Sequence, residues 1–197
     1  TVLRVPANVP GLVGEAALRT WVAREAFPLG VADASELRIA QAEFAVKLKR
    51  TGKRWAILEP APMPADQDEV EKLVTTLGKL AFTSVREQSD VPSGGLRIEA
   101  VSESRGVEGE NVTRRVSTQE LLVGPAESPG ASSRIGSAAV HEGAEAAGPR
   151  VGGVLQATLI EGVQADPAAY VSKVASTIAK ADIRRIAATP KSGPARI

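Results

Sequence analysis

The chain has no cysteine and a single histidine, His141, in 197 residues. Absence of cysteine excludes disulfides, zinc–thiolate sites and thiol nucleophiles, but leaves the compartment open, since periplasmic and cytosolic domains can both lack it. Aromatic residues make up only 3% of the chain against 43% hydrophobic residues in all, so the core has to be assembled from Val, Leu, Ile and Ala. Neither sign of charge is in excess: 24 basic residues face 23 acidic ones, a formal net charge of +1. That rules out the basic surplus with which a dedicated nucleic-acid binder neutralises phosphates, and equally that of a strongly basic membrane-surface domain. No apolar run approaches the roughly 18 residues of a membrane-spanning helix. The chain opens at Thr1 with neither methionine nor a signal peptide and reads as an excised or mature segment, long enough for one medium domain or a domain and part of another.

What is present is a succession of short alternating runs broken by Gly and Pro. Residues 1–14, with Pro6, Pro10, Gly11 and Gly14, read as extended chain or loop. Ala17, Leu18, Trp21 and Val22 recur at helical spacing and predict a short helix near 15–25. Alternation at Leu37 and Ile39, at Phe44, Val46 and Leu48, and around Trp55, Ile57 and Leu58 predicts three strands, the last two joined at Gly52, where positive φ is wanted. Pro60, Pro62 and Pro64 end that ladder. Asp66 then stands where an N-cap belongs, with Glu69 completing a capping box and Asp68 favouring the helix dipole. Val70, Leu73, Val74, Leu77 and Leu80 make one apolar stripe, so a long amphipathic helix over about 66–80 is expected to lie on a sheet. Downstream, "AFTSV", "LRIEAVSES", "RRVSTQELLVG" and "RIGSAAVHE" read as strands, the second and third as a hairpin, and "RVGGVLQATLIEGV" as strand running into helix. Asp166 as N-cap with Pro167 at the first helical position predicts a short helix near 167–175. The final residues, from about 177, read as strand, turn, strand.

At an offset of 149 residues the chain echoes itself: Trp21–Val22–Ala23–Arg24 faces Tyr170–Val171–Ser172–Lys173, Ala32–Asp33 faces Ala181–Asp182, and Leu37 faces Ile186. Residues 165–197 would then begin a second, incomplete copy of a unit occupying 1–164, packed on the first or forming one domain with it. The order "ADASELRIA…FAVKLKRTGKRWAILEP…PADQDEVEKLVTTLGKL", followed by "LLVG" and "DPAAYVSKV…ADIRRI", resembles the family called domain of unknown function 4340. That family is built of repeats with a β-hairpin, a W-x-l-x-x-P strand, a capped helix and a later l-x-v-G strand. The resemblance implies an extracytoplasmic, membrane-tethered part of a bacterial protein linked to ABC-type export or gliding-motility systems. This sequence departs from the family after "LLVG", where Ala, Gly and Ser replace a clearer strand pair. No catalytic residue comes with the resemblance.

The search for chemistry returns little. His141 beside Glu142 would need a nucleophile and an orienting group to act as a base, and the simpler reading is a strand-end side chain. Asp66, Asp68, Glu69 and Glu71 offer oxygen ligands of the kind calcium takes, yet capping and the helix dipole account for all four. Gly78–Lys79 lies at the wrong helix end for phosphate, and neither a phosphate-binding glycine loop nor a G-x-S-x-G elbow occurs. Lys47, Lys49, Arg50, Lys53 and Arg54 cluster about one hairpin turn. They form either a solvated strand face that discourages edge pairing or a contact patch for an acidic partner or lipid headgroups. Trp21 and Trp55 could stack a sugar, although both sit in core register.

The expectation is therefore an α+β fold: a mainly antiparallel sheet, the helix at about 66–80 on one face, and shorter helices near 15–25 and 167–175. Functionally it reads as a non-catalytic extracytoplasmic scaffold or interaction domain, accessory to an ABC-type transporter. Its partner would be another envelope protein, with no nucleic acid, no cofactor, no metal and no transmembrane segment in this chain. A small-ligand or glycan-binding module is the alternative, and a hydrolase using carboxylates alone ranks behind it.

Overall fold

The computed structural model describes residues 24–86, 95–108, 111–125, 131–143 and 150–173. Hairpins dominate it. Strands β1 (Ala34–Gln41), β2 (Phe44–Thr51) and β3 (Arg54–Glu59) follow one another through two-residue turns, and the short β4 (Met63–Pro64) closes that edge. Gly52 takes φ 61° in the second turn, as anticipated, but the first turn places Ala42 at φ 51°, a region that disfavours a side chain. Helix α1 (Gln67–Gly78) leads from β4 to β5 (Phe82–Arg86). After it come a long hairpin of β6 (Leu96–Glu108) and β7 (Asn111–Val123), then β8 (Ser133–Glu142) and β9 (Val151–Gln156). Helix α2 (Ala157–Glu161) and a 3-10 turn at Pro167–Tyr170 complete the described chain.

All nine strands join one antiparallel sheet in the order β4-β3-β2-β1-β6-β7-β8-β9-β5. The α+β expectation with a long amphipathic helix and two shorter ones is thereby corrected: strand accounts for 55% of the described residues, and only one helix reaches seven residues. Each helix is shorter for an identifiable reason. At the end of α1, Leu80 offers its carbonyl to the Ala26 N–H, so the chain leaves the helix for a strand-like bridge with residues 24–26. The predicted helix at 167–175 stops at Tyr170, whose carbonyl accepts from the Asp66 N–H while Ser172 donates to the Pro64 carbonyl; the sheet edge takes the backbone groups a helix would need. Of the predicted helix near 15–25, residues 15–23 lie outside the described chain, as do Trp21 and residues 174–197, and Glu25 is in a bridge with Ala81.

Alternation assigns one face of the sheet to the core. Val46, Ile39, Ile98, Leu121 and Ala138 form a single rung across five strands, and all are buried. The stripe of α1 meets this face with Val70, Leu73 and Leu77 buried and Val74 partly so. Asp66 caps the helix as predicted, accepting from the Asp68 and Glu69 N–H groups at 3.1 and 3.3 Å. The capping box itself does not close: the Asp66 N–H is taken by Tyr170, and Glu69 pairs with Lys72 at 2.8 Å.

Because α1 joins β4 at one edge to β5 at the other, the sheet has to coil around it. Nine flat strands would set the edges about 38 Å apart, whereas a helix of this length spans about 18 Å. At the far end Gly136 and Gly153 face each other in β8 and β9. A Cβ on Gly153 would lie 2.3 Å from the Ser84 carbonyl oxygen and 2.8 Å from Phe82, and one on Gly136 would lie 2.5 Å from Leu155. The missing side chains admit Phe82 and Leu155 to the core.

Two glutamines fasten covering segments to the covered face. Gln67 accepts from the Trp55 N–H at 2.8 Å and donates to the Trp55 and Ala65 carbonyls at 3.0 and 2.8 Å, supplying to β3 the rung that two-residue β4 is too short to make. Gln119, fully buried in β7, accepts from the Leu29 N–H at 2.8 Å and donates to the Gly30 carbonyl at 2.7 Å. It thus ties the segment before β1 across the sheet. Ala165 and Tyr170, from the stretch expected to open a second unit, enter the same core as α1.

Candidate functional site

The five basic residues of the hairpin turn are divided between two faces. Lys47 and Lys49 point outward and converge on Glu36, at 3.1 and 3.0 Å. Partial burial opposes charge on Glu36, but the bonds from Lys49 and Lys47 and their positive charges outweigh it and hold the carboxyl below its ordinary value. Arg50 lies in the opposite register, donating to the Ala32 carbonyl at 2.7 Å and the Gly52 carbonyl at 3.2 Å, with its guanidinium 5.9 Å from the centre of the Trp55 ring. Lys53 and Arg54 are exposed in and beside the turn. Trp55 is only 6% exposed, which removes it as a platform for a sugar.

Farther along the open face the charges interlock. Glu99 and Glu120 stand directly opposite each other in β6 and β7, an arrangement unfavourable for like charges. Arg97 resolves it by reaching both, at 2.7 and 2.8 Å, and Arg150 contacts the second oxygen of Glu120. Glu120 is consequently buried, as are its neighbours Ala139 and Ser137 on the same face.

One concave feature with polar groups in its lining lies at the end of the covered face. Gln41 and Phe44 from the β1–β2 hairpin, Leu96 from β6, Arg134 from β8, Ile160 and Glu161 from α2, and the loop 163–166 enclose a cleft of about 370 Å³. Arg134 is in register with Gly136 and Ala138, so it projects to the core side, where its Nε is sealed from solvent without an acceptor among the described residues. Phe44, expected in the core with Val46 and Leu48, is instead 49% exposed at the cleft. The loop wall is held by Tyr170, whose hydroxyl donates to the Gln164 carbonyl at 2.9 Å and accepts from its N–H at 3.3 Å. Burial pushes the Tyr170 phenol up, partly offset by the bond to Gln164. The positive φ of Ala42 sits in the hairpin that supplies Gln41 and Phe44. Strain of this kind persists where surrounding structure over-determines it.

None of the cleft residues stood out in the sequence as a binding residue; Asp166 and Phe44 figure there only as a helix cap and a strand position. The usable signal was Arg134 itself, a charge in phase with "G-x-A" on a strand whose small residues face the core. Glu161, at the end of α2, and Asp166, in the loop after it, both line the cleft. His141 sits opposite Thr118 near the end of β8, in the outward register. Among the described residues no group of three His, Cys, Asp or Glu is placed to hold a metal ion, and no helix is long and apolar enough to cross a membrane. Comparison of the chain with family models, with curated proteins and with solved structures finds no match.

Proposed function

We propose that this chain is a non-catalytic interaction domain of a bacterial envelope protein, working on the extracytoplasmic side and accessory to an ABC-type transporter. The observation that supports an interaction role is the far half of the β6–β7 hairpin. β6 pairs with β1 only as far as Ser102, and the last lateral bond to β7 among the described residues is from Gly143 to the Val116 carbonyl. From Arg105↔Arg114 to Glu108↔Asn111 no third strand pairs with β6 and β7 among the described residues, which leaves a ribbon of about 14 Å at 3.4 Å per residue. A two-stranded ribbon gains little stability by itself, and its backbone edges are the kind of surface to which a partner strand adds. The envelope setting rests on the resemblance of the strand–proline–helix segment around Trp55 to the family named above.

The test is photocrosslinking in native cells with a benzophenone amino acid at Glu103 or Val116, compared with the same probe at Glu71 on α1. Discrete adducts to an envelope protein from the ribbon positions, absent from Glu71 and lost when residues 104–115 are replaced by a tight turn, are expected. Equal adducts from all three positions, or full partner recovery without the ribbon, would overturn the reading.

A further inference from the structure

We propose that the cleft between the β1–β2 hairpin and α2 is a binding site for a small apolar monocarboxylate, with the carboxylate on Arg134 and the apolar body against Phe44, Leu96 and Ile160. This site is separate from the ribbon, and neither reading depends on the other.

Three properties of the cleft converge on that ligand class. The first is an unsatisfied donor. The Arg134 guanidinium carries donors and no acceptor, and its Nε is removed from water with no acceptor among the described residues. A buried donor left unpaired is unfavourable, and the acceptor that a guanidinium matches best is a planar carboxylate or a phosphate oxygen. The second is the charge of the walls. Glu161 and Asp166 line the same cleft, and among the described residues neither forms an ion pair with Arg134. The two carboxylates outnumber the one cation, so they disfavour a dianionic phosphate about twice as strongly as a monoanion, and the two candidates separate in favour of the carboxylate. The third is the remainder of the lining. Phe44, Leu96, Ile160, Val163 and Ala165 supply apolar surface, and a volume of about 370 Å³ falls in the range of small-molecule sites, roughly 300–1,000 Å³. An aromatic ring half-exposed at such a mouth has a use that core packing does not explain.

The experiment uses the full chain and calorimetric titration with octanoate and 3-phenylpropionate. The matched alcohols octanol and 3-phenylpropanol, and inorganic phosphate, serve as comparisons. Saturable binding of at least one carboxylate is expected, at least tenfold tighter than its alcohol and than phosphate. Arg134→Met, which keeps the aliphatic stem, should abolish the difference between acid and alcohol, and Phe44→Ala should weaken both about tenfold. Should Arg134→Met fail to fold, the acid–alcohol comparison on the unaltered chain decides the matter alone. No saturable binding of either carboxylate at millimolar concentration, alcohol binding as tight as the acid, phosphate binding as tight as the acid, or full retention of carboxylate preference in Arg134→Met would each overturn the proposal.

Discussion

Leu121 and Leu122 are neighbours in β7 and point to opposite sides of the same sheet. Leu121 is fully buried in the rung between Ile98 and Ala138, while Leu122 is half-buried among Arg97, Ser137 and the outward charges. The two faces deal with polar groups by different means. On the covered face Gln67 and Gln119 spend their neutral amides on backbone groups of β3, Ala65 and the segment before β1, while the charged Arg50 and Arg134 are only partly buried. On the open face the polar groups are charged, and Glu36, Glu99 and Glu120 are each held by lysine or arginine. The difference follows from the dielectric. An ion pair in contact with water exchanges one good environment for another and contributes about 0–1 kcal/mol. A satisfied neutral amide in the interior avoids the cost of desolvating a charge.

Paired truncations test that contrast most directly. Leu121→Ala should lower unfolding free energy by about 3 kcal/mol through lost transfer energy and a residual cavity, whereas Leu122→Ala should cost about 1 kcal/mol or less. Chemical denaturation measures both, and equal losses would mean that the open face is covered in solution. Gln119→Ala comes next, at about 2 kcal/mol, because it leaves the Leu29 N–H and Gly30 carbonyl without partners. Hydrogen exchange at the Leu29 amide should rise in that variant, and unchanged protection would show that the clamp is dispensable. Ala42→Gly works in the other direction, relieving a positive φ and raising stability by about 0.5–1 kcal/mol. A thermal melt that does not move upward would mean that the hairpin turn carries no strain.

The smallest effects at neutral pH are the titrations, one from each face. Glu36 is depressed in the folded protein, so its contribution is present above the ordinary glutamate value near 4.3 and is lost as pH falls through the lower folded value. Glu36→Gln should flatten the acid limb of the stability curve, an effect that high salt diminishes. Tyr170 is raised by burial, so its contribution holds below the ordinary tyrosine value near 10 and is lost as pH climbs toward the higher folded value. It is the only tyrosine in the chain, so tyrosinate absorbance reports it alone. Ionisation at the ordinary value in the folded protein would show that the wall of the cleft opens to water.

Much of the local structure was legible. Alternation at Leu37, Ile39, Val46, Leu48 and Ile57 located three strands and their inward face, and Asp66 marked the start of α1 within a residue. Gly52 was placed in its turn for the right backbone reason. The helical signal after Asp166 misled, because an N-cap and an N1 proline describe how a helix begins and not whether the next backbone groups are free to continue it. Gln119 and Arg134 were invisible for a related reason. Each looks like an ordinary polar member of an alternating strand, and its meaning depends on neighbours such as Leu29, or Glu161 and Ile160, that are remote in sequence.

The sequence by itself determined periodicity, turns, the helix cap and the exclusion of cysteine chemistry, since those depend on a residue and its neighbours within a few positions. Tertiary structure alone decided that β4 and β5 form opposite edges of one coiled sheet, that the basic hairpin is divided between two faces, and that the Nε of an arginine lies without a partner among the described residues, in a cleft. These outcomes are set by which distant segment occupies the space above a strand, and hydrogen bonds and burial across some 30 to 90 residues of separation leave no local mark.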